Sequence, residues 1–354
     1  MKKNIILIIS LIAMVIGQCA LCKEVETKSV EIVPAFSQAI KNKNSVWVGT
    51  FQLVWNDFSE NLVKGPVLFK NAKSLMAEEL NKKTFDKSML SENSYYTAYG
   101  ETSMDLKNRI EADIMDKFNE KSDLLDMIDW TNPNNLYLFY AMLKKQFDYE
   151  KRFSSLGKSA FNFSKEKYDY FGIKKQNSKD NIVGVKVLFY NSIFDYAVEL
   201  NSVKDSVILY RTISNKSFSD VYNMLNQKAN KYRGNKQFAK GDELKVPYIS
   251  FKEMISFDEL CGKEILNFDR LYIGKALQTV DLNLTNTGVR LKSEAILNVM
   301  NMSLLKEEKV RKIGRNFAFD RPFYVFLKEN DKNVPYFAAK INDMSLFKYT
   351  GDVK

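Results

Sequence analysis

The fold of this 354-residue chain is decided by the stretch FAFDRPFYVFL, residues 317–327. The polar run KENDKN at 328–333 and the segment VPYFAAKI at 334–341 follow it. Positions 323–327 are all apolar, which is typical of a strand covered on both faces. Pro322 has no backbone N–H, so the strand begins at this residue or just after it. The stretch therefore predicts a β-hairpin whose first strand is central in its sheet.

The rest of the chain predicts an α+β architecture. Apolar residues recur at helical spacing in two N-terminal segments, so the first 130 residues are expected to be mainly helical. Three β-rich runs, 183–190, 194–200 and 206–213, predict an antiparallel meander. Ser217 is the expected N-cap of a further helix, after which 246–251 resumes the strand pattern. Helices followed by a β-rich half are typical of an α+β fold. The two N-terminal apolar sets are Leu68, Ala72, Leu75, Met76 and Leu80, and Leu106, Ile110, Ile114 and Phe118.

The N-terminus has the features of an export signal. Its first residues are basic, and residues 5–17 form an apolar run that is too short for a membrane-spanning helix. We predict a signal peptide over 1–22 and a single domain over 23–354. The protein would be exported, and either secreted or tethered to the cell envelope. Cys19 and Cys22 are the candidate positions for a lipid anchor, which would be the only contact with a membrane.

Histidine is absent from all 354 residues. This absence excludes Ser-His-Asp and Cys-His nucleophile systems and His-containing zinc sites. Most hydrolase mechanisms are excluded with them. We predict no catalytic activity, no metal and no cofactor. A hydrolase with a Ser-Lys or paired-carboxylate site is a rival hypothesis, although no residues can be assigned to it. The formal net charge is +10, but the lysines are spread along the chain, so nucleic-acid binding is not predicted.

A second hairpin is predicted upstream of the C-terminal one. Residues 278–284 and 289–295 each alternate in polarity, and the sequence TNTG at 285–288 between them is typical of a turn. Side chains of alternate residues point to opposite faces of a strand. One face of the second strand and its continuation would carry Val289, Leu291, Ser293, Ala295, Leu297 and Val299, and the other face Arg290, Lys292 and Glu294.

The C-terminal stretch resembles the signature of the serpins, a family of serine protease inhibitors. Further similarity lies in VPYISF at 246–251, in FDELCG at 257–262, and in Lys275-Ala276 with Gly288 further on. The N-terminal third fits the family poorly, because NSVWVGT stands at 44–50 in place of the family's Asn-x-x-x-Ser-Pro-x-Ser element. The signature residues in this chain are Phe319, Asp320, Arg321, Pro322 and Phe323.

The resemblance implies a reactive loop. In an inhibitory serpin the second arm of the upstream hairpin is exposed until a protease cuts it, after which it inserts into the main sheet and traps the protease as an acyl-enzyme. The resemblance makes Met302–Ser303 the candidate scissile bond and a serine or cysteine peptidase the partner of a monomeric inhibitor. The hinge residues it implies are Gly288, as the pivot, with Val289, Leu291, Ser293 and Ala295.

The hinge departs from the inhibitory pattern. Inhibitors carry a run of small residues here, whereas this chain has Leu291, Lys292 and Glu294. A large inward side chain slows entry into a close-packed sheet. The alternative is therefore a non-inhibitory serpin-like protein, a binding or structural component of the cell envelope, in which 289–297 is a permanent strand.

Overall fold

The protein is described here by a computed structural model that covers residues 29–41, 43–132, 134–174, 184–297 and 315–353. These residues form three β-sheets and four α-helices, which confirms the predicted α+β class. The helices are α1 (Thr50–Phe58), α2 (Leu75–Asn81), α3 (Met104–Phe118) and α4 (Phe218–Lys231). The strands are β1 (Glu31–Ile32), β2 (Ser45–Val48), β3 (Tyr95–Glu101), β4 (Tyr137–Asp148), β5 (Ser154–Ala160), β6 (Lys167–Ile173), β7 (Val185–Ser192), β8 (Asp195–Asn201), β9 (Asp205–Arg211), β10 (Glu243–Pro247), β11 (Ile249–Ser256), β12 (Leu277–Leu284), β13 (Gly288–Ile296), β14 (Asn316–Ala318), β15 (Phe323–Glu329) and β16 (Phe337–Ile341).

The seven-stranded sheet contains the C-terminal hairpin and has the order β1-β2-β16-β15-β9-β8-β7. Strand β15 pairs antiparallel with β16 on one side and with β9 on the other. The prediction of a central strand at 323–327 is confirmed. The predicted meander is also confirmed, since β7, β8 and β9 pair antiparallel in sequence.

The four-stranded sheet has the order β14-β10-β6-β5. The single strand predicted over 246–251 is wrong, because this run is divided between β10 of the four-stranded sheet and β11 of the five-stranded sheet. The chain crosses between the sheets at Pro247-Tyr248. The Tyr248 N–H still donates to the carbonyl of Asp169 in β6 at 3.0 Å, in the register of the β10–β6 ladder, and Ile249 then begins β11.

The five-stranded sheet has the order β11-β12-β13-β4-β3, and every neighbouring pair is antiparallel. Helix α1 packs against β4 and β13 of this sheet, and all nine of its residues are buried. Such a helix lies inside the main core, together with Trp47 and Trp55. On the opposite face α3 covers the sheet with a smaller apolar cluster that includes Ile110, Ile114 and Ile296.

The expected helical N-terminal part is confirmed in outline, since α1, α2 and α3 all lie within the first 118 residues, with β1, β2 and β3 among them. The start expected for the second of these helices is wrong. Helix α2 begins only after Ser74, whose side chain accepts a hydrogen bond from the Ala77 N–H, so Leu68 and Ala72 lie before it. The neighbouring Phe69 makes β-bridges to Ala72 and Ile265, which shows that the apolar spacing ran across a helix boundary.

The helix predicted around 106–118 is confirmed as α3, with Ser103 as its N-cap and its apolar set buried. The helix after Ser217 is confirmed as α4. None of the helices in the described ranges has both the length and the apolar character needed to cross a membrane. The predicted signal peptide, with Cys19 and Cys22, lies outside the described residues.

Candidate functional site

The candidate site is strand β13, Gly288–Ile296, which we call the arm. It is the central strand of the five-stranded sheet, with β12 on one side and β4 on the other. Leu291, for example, lies between Leu282 of β12 and Lys145 of β4. Both ladders run along the arm from Val289 to Ile296, so it is paired over almost its entire length.

A tight turn connects β12 to the arm. The Thr285 N–H donates to the carbonyl of Gly288 at 3.0 Å, and the buried amide of Asn286 donates to the carbonyl of Phe153 at 3.2 Å. At Gly288 a Cβ atom would lie only 2.1 Å from the carbonyl oxygen of Phe147. Glycine is needed here because the backbone of β4 approaches so closely.

The inward face of the arm is buried in the main core. Val289, Leu291 and Ala295 belong to its apolar cluster, and Ser293 is the polar residue among them. The predicted assignment of these four side chains to one face is confirmed. Leu291 is completely buried, so the core has room for the side chain that departs from the inhibitory pattern.

Ser293 connects the arm to helix α1 through a chain of hydrogen bonds. The Gln278 amide donates to the Thr50 hydroxyl at 2.7 Å, and the hydroxyls of Thr50 and Ser293 lie 2.8 Å apart. The Ser293 hydroxyl donates in turn to the carbonyl of Thr279 at 2.6 Å. A hydroxyl group has one hydrogen to donate, and that of Ser293 is used for Thr279, so the Thr50 hydroxyl donates to Ser293. Both hydroxyl groups therefore have hydrogen-bond partners within the protein.

Lys292 points to the outward face, under the segment that follows α3. It is only 6% exposed, and its ammonium group donates to the carbonyl of Lys121 at 2.7 Å. The ammonium group forms ion pairs with Asp123 and Glu294, each at 3.1 Å, and a longer one with Glu120 at 3.8 Å. Burial lowers the pKa of Lys292, but the nearby Glu294 and Asp123 outweigh burial and raise it above its usual value.

Glu294 has no exposed surface, and its carboxylate accepts three hydrogen bonds. The donors are the Ser122 hydroxyl at 2.6 Å, the Asp123 N–H at 2.9 Å and the Tyr140 hydroxyl at 2.9 Å. Burial, followed by the charge of Glu294, raises the pKa of Tyr140 well above its usual value. A buried charge persists only when it is paired and hydrogen-bonded, as Glu294 is.

We refer to Lys292, Glu294, Ser122, Asp123 and Tyr140 as the clamp. The clamp ties the arm to β4 and to the connection between α3 and β4. Arg290, on the same outward face, lies at the margin of the clamp, with its side chain about half exposed and 3.9 Å from Glu120. Arg290, Lys292 and Glu294 lie on one face, as the alternation of the sequence predicts, but no local pattern identifies their partners.

A second buried ionic group, which was not predicted from the sequence, lies beside the arm. The Lys145 ammonium pairs with Asp205 at 3.1 Å and also with Glu329, so it joins β4 to β9 and β15 of the seven-stranded sheet. The Tyr336 hydroxyl donates to Asp205 at 3.1 Å. The group forms part of the wall of a cavity of about 550 Å³. No sequence motif marks it, because its members are brought together only by packing of the two sheets.

The two carboxyl groups of this cluster shift in opposite directions. Burial raises the pKa of Asp205, against the opposing effect of Lys145. Burial acts in the same sense on Glu329, but hydrogen bonds from Lys145 and Ser91 outweigh it and lower its pKa. The Lys145 ammonium thus lies between one carboxyl group whose pKa is raised and one whose pKa is lowered.

The signature residues lie where the chain passes from the four-stranded to the seven-stranded sheet. Phe319 is buried, and its N–H donates to the carbonyl of Lys245 at 2.8 Å. The Asp320 carboxylate lies 3.4 Å from the Lys245 ammonium, and the Arg321 guanidinium lies 3.7 Å from the ring centroid of Phe163. After Pro322, Phe323 begins β15. The signature thus fixes the junction between two sheets.

The structure does not test the predicted scissile bond or the hinge role of the arm. Met302 and Ser303 lie outside the described residues, so the candidate scissile bond stays a prediction, as does the hinge role of the arm residues. Burial raises the pKa of the Cys261 thiol to about 12, which keeps it protonated and unreactive at neutral pH. Among the described residues, no three His, Cys, Asp or Glu side chains are placed to hold a metal ion.

No family model and no curated protein matches this sequence. Solved structures do match it. The structure of cleaved Serpin 42Da is 11% identical, with 88% of this chain and 93% of that chain covered and a TM-score of 0.52. A loop C-sheet serpin polymer is 10% identical, with 87% and 92% covered and a TM-score of 0.49. The thermophilic serpin tengpin in the latent state is 12% identical, with 87% and 93% covered and a TM-score of 0.46. The extent of the match to cleaved Serpin 42Da shows that this chain has the serpin fold.

Proposed function

We propose that this chain is a non-inhibitory serpin-type protein whose arm is a permanent strand before any cleavage. The observation that carries the proposal is that the arm is the central strand of its sheet in a continuous chain. An inhibitor that traps a protease by insertion needs the opposite arrangement, with the arm outside the sheet until it is cut.

The length of the chain supports this arrangement. The chain between the arm and β14 has to pass back along the arm and across the four-stranded sheet. The arm spans eight residue steps, which is about 27 Å. Strand β14 lies three strand spacings, about 14 Å, from β5 at the other edge of the four-stranded sheet. Ile296 and Asn316 are 20 positions apart, which allows a reach of about 66 Å. The four-stranded sheet adjoins the Gly288 end of the arm, because the Phe153 N–H, next to β5, donates to the Asn286 carbonyl at 2.9 Å. An uncut chain can therefore hold both the arm and β14 in place.

The residues that depart from the inhibitory pattern fit the inserted position. Leu291 is completely buried there, and burial of such a side chain contributes about 1.5–3 kcal/mol. Lys292 and Glu294 have partners in the clamp that an exposed loop would not offer. A buried ion pair adds little net stability but strongly disfavours arrangements that leave either charge unpaired. The inserted register is therefore expected to be the ground state.

A protein in this ground state stores no insertion energy for distorting a protease. We therefore infer that it acts through reversible contacts, as a binding or structural protein. The export predicted from residues 1–22 places this role at the cell envelope or outside the cell, and a peptidase bound without covalent trapping is one partner compatible with it. The proposal includes no catalytic activity.

Peptidase inhibition by insertion of the arm is the second candidate. The observation in its favour is that the sheet accepts the arm with both ladders formed and with the small side chains Ser293 and Ala295 directed inward. This is the end state that trapping requires. The second candidate needs an additional, metastable form of the uncut protein in which the arm lies outside the sheet.

Incubation with peptidases separates the two candidates. The uncut protein is mixed with serine and cysteine peptidases of differing specificity and analysed by SDS gel electrophoresis, and its melting temperature is recorded before and after nicking within 298–314. A permanent strand predicts no SDS-resistant complex and little change in melting temperature on nicking. A covalent complex, or a large rise in melting temperature after the cut, would show that the arm was outside the sheet and would overturn the proposal.

A further inference from the structure

The outer edge of strand β3 is the one sheet edge in the described part of the chain that has no protection against pairing with another strand. Edge strands are usually short, bulged, charged or covered, because their free N–H and C=O groups otherwise recruit other strands. In the four-stranded sheet, β14 has only three residues, and β5 is interrupted by a bulge between Ser155 and Gly157. Both of its edges are protected.

The other sheets are protected in the same ways. In the seven-stranded sheet β1 has only two residues, and β7 is flanked by Lys236, whose carbonyl accepts from the Val187 N–H at 2.9 Å. In the five-stranded sheet the start of β11 is covered, because the Ser250 N–H donates to the carbonyl of Phe347 at 3.0 Å. The rest of β11 carries the exposed charges Lys252 and Glu253.

Strand β3 lacks these devices over residues 95–100. Its seven residues, YYTAYGE, contain no proline and no basic residue, and it pairs with β4 without a register shift. Glu101, at its end, is its only charge. Aromatic residues and threonine favour extended structure, so the sequence itself suits further strand pairing.

An apolar corner adjoins this edge. Tyr99, Met104, Leu136 and Tyr137 are each between 45% and 53% exposed. They are neighbours, since Glu101 pairs with Tyr137 and the Thr102 N–H donates to the carbonyl of Leu136 at 3.0 Å. Grouped exposed apolar side chains of this kind mark interaction surfaces more often than isolated ones do.

We propose that β3 pairs antiparallel with β3 of a second copy of this chain, about a two-fold axis at Ala98, so that two five-stranded sheets join into one. Opposite charges would meet when the β3 edges of two copies pair in this way. In this register the second copy's Glu101 lies opposite Tyr95, and the Lys117 ammonium is 5.7 Å from the centroid of the Tyr95 ring. The symmetry supplies this Glu101–Lys117 pair twice and closes the assembly as a dimer.

The proposed dimer does not depend on the proposed function, and the association state of the protein in solution tests it. Sedimentation equilibrium or light scattering on the purified protein at 1–100 μM, taken as roughly the range of moderate protein affinities, should detect a dimer. Glu101→Lys and Lys117→Glu should each weaken dimerisation at least tenfold, and the double exchange E101K/K117E should restore it. Both residues are exposed, so these variants should fold normally. Thr97→Lys, which places a charge in the middle of the edge, should also abolish the dimer.

The matched control is Lys252→Glu, which reverses an exposed charge on the opposite edge of the same sheet and should leave dimerisation unchanged. A wild-type protein that is monomeric throughout this range would overturn the proposal and would favour the monomer expected from the sequence. A dimer that is insensitive to both Glu101→Lys and Thr97→Lys would also overturn it, because its interface would lie elsewhere.

Discussion

Lys292 and Glu294, two residues apart on the outward face of the arm, form an ion pair of 3.1 Å. Both side chains are buried. Their partners Ser122 and Asp123 come from a connection about 170 residues earlier in the chain. Two charged residues in a segment where an inhibitor has small ones are thereby accommodated inside the sheet.

Glu294→Ala should destabilise the protein by about 3 kcal/mol, because removal of one partner leaves Lys292 and three hydrogen-bond donors insufficiently paired. Urea unfolding followed by circular dichroism measures the change. Arg290→Ala is the matched control from the same face of the arm. Its effect should stay within about 0.5 kcal/mol, as for other exposed substitutions. Equal effects of the two substitutions would show that the clamp does not hold the arm.

Ser293→Ala and Thr50→Ala should each reduce stability by about 1 kcal/mol, because each removes one hydroxyl from the buried chain between α1 and the arm. The two residues share a hydrogen bond, so the double variant should lose less than the sum of the single losses, by at least about 0.5 kcal/mol. Denaturant unfolding of all four proteins gives this coupling energy. Strict additivity would place Thr50 and Ser293 out of contact, which is incompatible with an inserted arm.

Gly288→Ala should destabilise the protein by about 1–3 kcal/mol, because the added Cβ would lie 2.1 Å from the Phe147 carbonyl oxygen and push the arm away from β4. Gly65→Ala provides the control, since a Cβ at that position would meet no atom within 4 Å. Thermal unfolding compares the two variants. If Gly288→Ala were as mild as Gly65→Ala, the close approach at the start of the arm would be in error.

The Lys145 cluster predicts a pH dependence. The folded-state pKa of Glu329 is lowered, so its stabilising effect is present above its ordinary pKa of 4.5 and is lost as the pH falls through the folded value. Glu329→Gln should therefore destabilise the protein at pH 7, with the difference from wild type shrinking under acid conditions.

Asp205 should show the opposite dependence, because its folded-state pKa is raised above the ordinary value of 3.8. Its contribution is present below pH 3.8 and is lost as the pH rises through the higher folded-state pKa. Asp205→Asn should accordingly become less unfavourable, relative to wild type, as the pH increases from acid to neutral. Urea unfolding between pH 3 and pH 7, roughly the interval in which these carboxyl groups titrate, measures both. Parallel curves for the two variants would contradict the opposite pKa shifts.

The amino-acid sequence by itself determined the C-terminal hairpin, the β7–β9 meander, helices α3 and α4, and the two faces of the arm. Each of these follows from a local cause: an unbroken apolar run, alternation over a few residues, or a capping serine before a helical repeat. The start of α2 was predicted too early, because apolar spacing around Leu68 does not distinguish a helix from a bridged extended segment.

Only the tertiary structure decided where the arm lies and what surrounds it. Val289–Ala295 reads equally well as a bait loop or as a strand, because alternation determines which side chains share a face but not which strands flank it. The partners of Lys292, Glu294 and Lys145 come from distant parts of the chain, and the unprotected edge of β3 exists only because no other described strand pairs there. Burial and pairing of these groups depend on long-range packing, which no local pattern of residues encodes.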